Sequence, residues 1–180
     1  MRQIFIDNQT TGIDVELGHR LIELVAVEVV DGKITGNYFH TYINQEKDID
    51  EGAVALHGIS KEFLQDKPFF NEIVSDFYAF IHGADEILAH HSSFDVDFFN
   101  NELKYLKESF LPIDEEFNVV DTLELSRKML PGRKQDLDSL CEYFKLDIEN
   151  NESYKELEGA FLDARILADI YLCMYKVERC

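Results

Sequence analysis

Residues 21–43, LIELVAVEVVDGKITGNYFHTYI, hold two strand-like runs joined by Asp31-Gly32. Asp-Gly between β-branched and aromatic runs predicts a two-residue hairpin turn, since both turn positions then tolerate positive φ. The rest of the chain is read around this hairpin. QIFID (3–7) reads as a short buried strand that ends at Asp7, EILAH (86–90) as another strand, and FNVVD (117–121) as a third that ends in acid. The stretch from Gln45 to Leu56 reads as a loop. His57-Gly58-Ile59-Ser60 then leads into a short helix with Ser60 as N-cap. After Pro68, the residues Phe70, Ile73, Val74, Phe77, Phe80 and Ile81 recur at helical spacing, and Gly83 can end that helix. Phe94 to Lys107 is predicted helical, with Phe94, Phe98, Leu103 and Leu106 facing inward. Two short helices split at Pro131-Gly132, and a last one runs from Gly159 to Val177 with Leu162, Ile166, Ile170 and Met174 buried. Three antiparallel strands followed by strand–helix crossovers imply an α/β fold: a mixed five-stranded sheet flanked by helices, one domain over residues 1–180.

Composition narrows the function. Apolar residues at 46% and charged residues at 29% argue against disorder as the main state. No apolar run approaches the ~20 residues that span a bilayer, and a strand-like pattern begins at once, which leaves no room for a signal peptide. Cys141, Cys173 and Cys180 lack metal-site spacing, and with no secretion signal they point to reduced thiols in the cytoplasm. The net charge of −19 argues against generic nucleic-acid binding, because phosphate is repelled by most of such a surface. A local grip through metal ions remains open. So does a basic one: RKMLPGRK (127–134) carries Arg127, Lys128, Arg133 and Lys134 with no acid among them, either a solvated loop or a phosphate-facing patch.

Asp7, Asp95 in HHSSFDVDFF, Asp121 and Asp163 are far apart in sequence. Acids at strand ends can converge at one sheet edge, where hard divalent cations favour carboxylate oxygens. Each alone is more often a cap or a surface charge. Together, the blocks IDNQTTG, HGIS, HHSSFDVDF, RKMLPGRKQDLDSLC and LEGAFLDARILADIYL resemble, in order and over nearly the whole chain, the DnaQ-like (DEDDh) 3′–5′ exonucleases, the family of the proofreading epsilon subunit of bacterial DNA polymerase III.

The resemblance implies a ribonuclease-H-like fold and two-metal hydrolysis of the terminal phosphodiester with Mg²⁺ or Mn²⁺. It implies a single-stranded DNA or RNA 3′ end as substrate and replicative polymerase subunits as partners. Asp7, Asp95 and Asp163 match metal-holding acids of the family. Thr10, Thr11 and His57 match positions that line the 3′-terminal nucleotide in relatives, and His91 falls where the epsilon subunit usually has asparagine. Asp121 matches an aspartate in a supporting role. The polymerase-binding tail that usually follows in the epsilon subunit is not found before Cys180.

Two catalytic positions depart. The family's first block is Asp-x-Glu, and Gln9 stands at the glutamate; the family's histidine is replaced by Glu158. Glutamine keeps shape and one carbonyl oxygen but removes a charge that magnesium needs. The second change exchanges a base of ordinary pKa ~6.5 for one of ~4.3, and losing a positioned base typically lowers rate on the order of 10²–10⁴-fold. Glu158 can also be read as a compensating carboxylate, restoring four acids with Asp7, Asp95 and Asp163. Three origins fit: a catalytically inactive member acting as a nucleic-acid-binding or accessory subunit, a slow nuclease with Glu158 in its site, or a chain altered to abolish cleavage.

Other signals are weaker. His90, His91 and Asp97 suggest a transition-metal site only faintly. Phe63, Phe69, Phe70, Phe77, Phe80, Phe98 and Phe99 read mostly as core, with one or two free to stack under a base. Ser92-Ser93 lacks a nucleophile elbow, and no P-loop or dinucleotide glycine pattern is present.

Overall fold

A computed structural model describes residues 1–107 and 109–177, with side chains through residue 175. Cys141 and Cys173 are present as thiols; the expectation for Cys180 falls outside the described residues.

The hairpin forms as its turn dictates. Strands β2 (Leu21–Val30) and β3 (Lys33–Tyr42) pair antiparallel around Asp31 at φ 49° and Gly32 at φ 74°. Strand β1 (Arg2–Thr10) pairs antiparallel with β2 and parallel with β4 (Glu86–Ala89), which pairs parallel with β5 (Val119–Asp121). The sheet order is β3-β2-β1-β4-β5, the mixed five-stranded arrangement with helices on both sides that the element order implies. Interior strand β2 is buried along nearly all its length.

Strand alternation sorts the two faces. Phe5, Val25, Val27 and Val29 pack against α7 (Leu137–Phe144) and α8 (Gly159–Val177). Ile4, Ile6, Leu24 and Ala26 pack against α3 (Phe70–Ile81) and α4 (Ser92–Leu103). Ser60 caps the short helix Lys61–Leu64 by accepting from the Phe63 N–H at 3.2 Å. A further helix, α6, spans Thr122–Met129, and the chain turns at Pro131-Gly132 before α7.

Several expectations are corrected. Asp7 does not end the first strand: β1 continues to Thr10, because β2 is long enough to keep pairing through Gln9↔Glu23. The stretch read as a loop contains a helix, Glu51–His57, which buries none of its residues and so carries no apolar period to detect. A helical turn at Ile113–Glu116 and 3₁₀ turns at Val15–Leu17 and Glu152–Tyr154 are likewise too short to show a period. Helix α4 stops at Leu103, and its buried face is Asp95, Val96, Phe98, Phe99 and Glu102; Phe94, Leu103 and Leu106 lie at the edge of the core.

Charge turns α4 that way. Fully buried Glu102 accepts from Arg20 Nε at 2.8 Å, Arg20 Nη2 at 2.6 Å and the Leu21 N–H at 3.0 Å. Arg20 also lies over the Tyr105 ring, 4.1 Å from its centroid. This pair fastens α4 to the start of β2. Replacing Glu102 by alanine is expected to destabilise the fold by about 2–4 kcal/mol, near the range for breaking a buried pair, with some relief because Arg20 can reach water. Urea unfolding measures it, and a loss below about 0.5 kcal/mol, the scale of an ordinary surface substitution, would show the pair to be incidental.

Candidate active site

Strand β1 packs against both α4 and α8, and each of these three elements carries one of the expected aspartates. Asp7 lies on the α8-facing side of β1, Asp95 in the first turn of α4, and Asp163 near the start of α8. Asp95 is 3% exposed, and Asp7 and Asp163 are half-buried. Burial, then the charges of Asp95, Asp163 and Glu23, hold the Asp7 carboxyl well above the usual carboxylate range. Burial does the same to Asp95; its own and the Asn8 backbone N–H pull it back down, and Asp121 pushes it up. Asp163 is raised to about 6 by burial, then by Asp138 and Glu23. The three are therefore neighbours electrostatically, as the sequence order alone could not establish. Asn8 Nδ2 donates to the Asp95 carbonyl at 3.2 Å and ties α4 to β1. Asp121 accepts from the N–H groups of Ser92 (3.2 Å), Leu123 (2.8 Å) and Glu124 (3.2 Å), so it caps α6 and anchors the approach to α4.

The fourth carboxylate packed among them is Glu23, a position that family resemblance did not point to. It is fully buried, faces Gln9 across the β1–β2 ladder, and acts on both Asp7 and Asp163. His40 Nε2 donates to its Oε1 at 2.9 Å and the Ala160 N–H approaches its Oε2 at 3.4 Å, while its charge helps hold the nearby Tyr42 hydroxyl protonated. An acid among apolar residues near the start of the run LIELVAVEVV, which holds only Glu23 and Glu28 as charged residues, is the signal that could have found it. Glu158 is exposed just before α8, and its carbonyl accepts the Leu162 N–H. Its charge acts on the Tyr42 hydroxyl, while the charges that act most on Asp7 and Asp163 come from other acids.

Oxygen donors and clustered negative charge suit a hard divalent cation. No side-chain donor among the described residues reaches the Asp7 or Asp163 carboxylate, so their charge is left for something else to neutralise. Asp7, Asp95 and Asp163 fit such an ion in donor type. Among the described residues, however, no three His, Cys, Asp or Glu side chains stand as a closed ligand set. What the structure shows is a convergence of charge on Asp7, where Asp95 and Asp163 both act.

The positions expected to line a nucleotide are largely committed to the fold. Thr10 Oγ1 donates to the Gly12 carbonyl at 2.7 Å. Thr11 Oγ1 accepts from the Arg20 N–H at 2.9 Å and meets His19 Nδ1 at 3.1 Å. His57 Nδ1 accepts from the Ile59 N–H at 3.1 Å, so Nε2 carries the proton and faces the Thr10 carbonyl at 3.2 Å. Burial favours this neutral ring and lowers its pKa, against the Thr10 carbonyl and Glu23. His91 is exposed in the left-handed region at φ 70°, a conformation that asparagine adopts readily. His90 instead meets Thr122 Oγ1 at 3.1 Å and the Gln135 carbonyl at 2.6 Å, and serves the fold. Of the aromatic series, Phe70, Phe77, Phe98 and Phe99 are core, while Phe63 and Phe69 are each 45% exposed. Phe63 stands edge-on to Tyr42 at 4.8 Å.

With this geometry in hand, comparison with known proteins is specific. The model of the Exonuclease family (RNase_T) matches residues 4–171. DNA polymerase III subunit epsilon of Rickettsia typhi is 44% identical over 175 residues, 97% of this chain and 74% of the relative. The same subunit of Escherichia coli K12 is 41% identical over 177 residues, 96% of this chain and 71% of the relative. Among solved structures, exonuclease X in complex with 5′ overhanging duplex DNA has a TM-score of 0.73 at 22% identity, covering 99% of this chain and 93% of its own. The nuclease domain of 3′hExo bound to rAMP, a DEDDh family member, has a TM-score of 0.78 at 16% identity, covering 98% and 92%. These two similarities establish the ribonuclease-H-like exonuclease fold. No helix among the described residues is long and apolar enough to cross a membrane.

Two outcomes follow from the geometry. Gly159 has φ +54°, and a Cβ there would lie 3.0 Å from Glu23 Oε2. Gly159→Ala is expected to destabilise by roughly 1–2 kcal/mol from the left-handed backbone alone, with the crowded Glu23 adding to it; unchanged thermal unfolding would contradict this. The second concerns pH. A carboxyl raised above its unfolded value favours the fold when protonated, so its penalty is absent below about 4, the unfolded value. The penalty grows as pH rises to about 6, the folded value of Asp163, and is constant beyond it. In chelator, Asp163→Asn should therefore raise stability at pH 8 by on the order of 1–2 kcal/mol after discounting for partial exposure, and leave it little changed at pH 4. Destabilisation at pH 8 in chemical denaturation would refute the repulsion.

Proposed function

This chain belongs to the Exonuclease family that includes DNA polymerase III subunit epsilon, and from that premise we propose that it is a 3′–5′ exonuclease of weakened activity, acting on a single-stranded DNA or RNA 3′ end. The observation that supports this is the charge field at Asp7, to which Asp95 and Asp163 from distant sequence blocks both contribute. Such a field raises the energy of the empty site and favours hard dications over any neutral ligand.

Asp7, Asp95 and Asp163 would hold Mg²⁺ or Mn²⁺, which when bound supply positive charge to the phosphate and acidify water. Gln9, opposite Glu23 in the ladder, offers only a neutral carbonyl at that place. Glu23 keeps negative charge nearby, but its oxygens are already engaged by His40 and the α8 backbone. It acts as a positioning residue for Asp163. Glu158 would take the proton of the attacking water at its carboxylate. It does so poorly, because a carboxylate holds a proton less tightly than an imidazole near neutral pH. His57 and the Thr10–Gly12 turn would shape the floor for the terminal nucleotide, and exposed Phe63 offers a ring for base stacking. Polymerase subunits are the proposed partners, in the cytoplasm.

Digestion of a labelled oligonucleotide in Mn²⁺ tests this. Slow shortening from the 3′ end is expected, lost in Asp7→Ala. The Gln9→Glu, Glu158→His double variant should be faster by on the order of 10²–10⁴-fold. Its Mn²⁺ affinity should also rise, because Gln9→Glu returns a charge to the site. No digestion by the unaltered chain at high concentration, with recovery only in the double variant, would favour the accessory-subunit alternative.

A further inference from the structure

The turn at Pro131-Gly132 encloses an open cleft of about 660 Å³, lined by His90, Leu123, Arg127, Arg133, Gln135 and Asp136 among others. The cleft is built. His90, one residue past β4, donates Nε2–H to the Gln135 carbonyl at 2.6 Å and fixes the segment to the sheet edge. The Gln135 side chain donates to the carbonyls of Leu130 at 2.9 Å and Arg133 at 3.0 Å, which sets its orientation. Its Oε1 is then a buried acceptor with no partner among the described residues. The Arg133 guanidinium lies over the Tyr143 ring, 4.6 Å from its centroid, which holds it in place.

The charge here is unusual for this chain. The sequence has 36 acids against 17 Lys and Arg, yet among the described residues no carboxylate forms an ion pair with Arg127, Lys128, Arg133 or Lys134. The one acid lining the cleft, Asp136, spends its oxygens on the Ser139 N–H at 3.0 Å and the Ser139 hydroxyl at 2.9 Å, and feels Lys134. The cleft is joined to the elements that carry the acids, and the charge of Asp121 acts on His90 in its wall. His90 precedes Asp95 by five residues, and Arg127 sits on α6, whose cap Asp121 bonds the start of α4.

We propose that this cleft grips a phosphate of the single-stranded polynucleotide backbone, away from the bond that is cut, and so draws a polyanion onto an otherwise repelling surface. This rests on the chain being the nuclease proposed above. Two guanidiniums present forked donors suited to phosphate.

The test is binding without catalysis. A labelled oligothymidylate is titrated in chelator, from about 25 to 200 mM salt, against the unaltered chain and Arg127→Gln, Arg133→Gln and Lys128→Gln variants. Arg127→Gln plus Arg133→Gln should weaken binding about tenfold at low salt and flatten the slope of log affinity against log salt by ~0.7 for each phosphate released from the protein. Lys128→Gln removes the same charge from the same helix but does not line the cleft, and should do much less. Equal effects from Lys128→Gln and Arg127→Gln would reduce the cleft to general electrostatics and overturn the proposal. So would an unchanged slope, no binding by the unaltered chain at low salt, or an equal loss of affinity for inorganic phosphate, which would make it a small-anion site. In Mn²⁺, hydrolysis of an activated ester of thymidine monophosphate, which has one phosphate, should be unaffected by the two arginine changes. A chain that cleaves neither ester nor oligomer would sink the nuclease assignment while the binding titration still decides the cleft.

Discussion

A carboxylate buried without water must be surrounded by donors or it will not stay charged. Glu23 meets that condition with groups from two separate elements: His40 on β3 and the backbone of Ala160 at the start of α8. The same contacts bring the first turn of α8 against β2, and Gly159 admits the approach because it has no Cβ to collide with Glu23. Asp163 follows one turn later, so its distance from Asp7 depends on how Glu23 is held. On the other face, Glu102 does for α4 what Glu23 does for α8, fastening the helix to β2 through Arg20. Buried charge thus sets the two helices that carry Asp95 and Asp163.

The cluster they form is unstable by itself. Asp7, Asp95 and Asp163 all resist ionisation more than a solvated carboxylate does, because each sits in protein among other acids. Gln9 carries no formal charge and stands across the ladder from Glu23. Glu158 is an exposed acid whose charge acts on Tyr42.

Negative charge dominates the chain, yet cations gather at the turn between α6 and α7 without acidic partners. Such local imbalance is how an acidic protein can hold phosphate at all, because within about 10 Å screening by salt leaves near charges in control of far ones. Asp7 lies in the second half of β1 and Arg127 on α6, directly after β5, so both stand toward the carboxyl ends of the sheet's parallel strands.

Much was legible from pattern alone. Asp31-Gly32 fixed the hairpin because its φ values suit only a few residue types, and the apolar periods placed α3 and α8 at their observed bounds. The short helix Glu51–His57 was not legible, since it buries nothing and leaves no period. The inward face of α4 was misplaced because Glu102 is buried by an ion pair, which a hydrophobic count scores as outward. The sequence by itself determined the strand and helix order, the chain positions of Asp7, Asp95 and Asp163, and the two departures at Gln9 and Glu158, because these are properties of residues and their near neighbours. Only the tertiary structure decided that Glu23 is the fourth acid, that Thr11 and His57 are tied into the fold, and that Arg127 and Arg133 share a cleft. Each of these rests on contacts between residues distant in the chain, and burial of a charge becomes tolerable only once those distant partners have arrived.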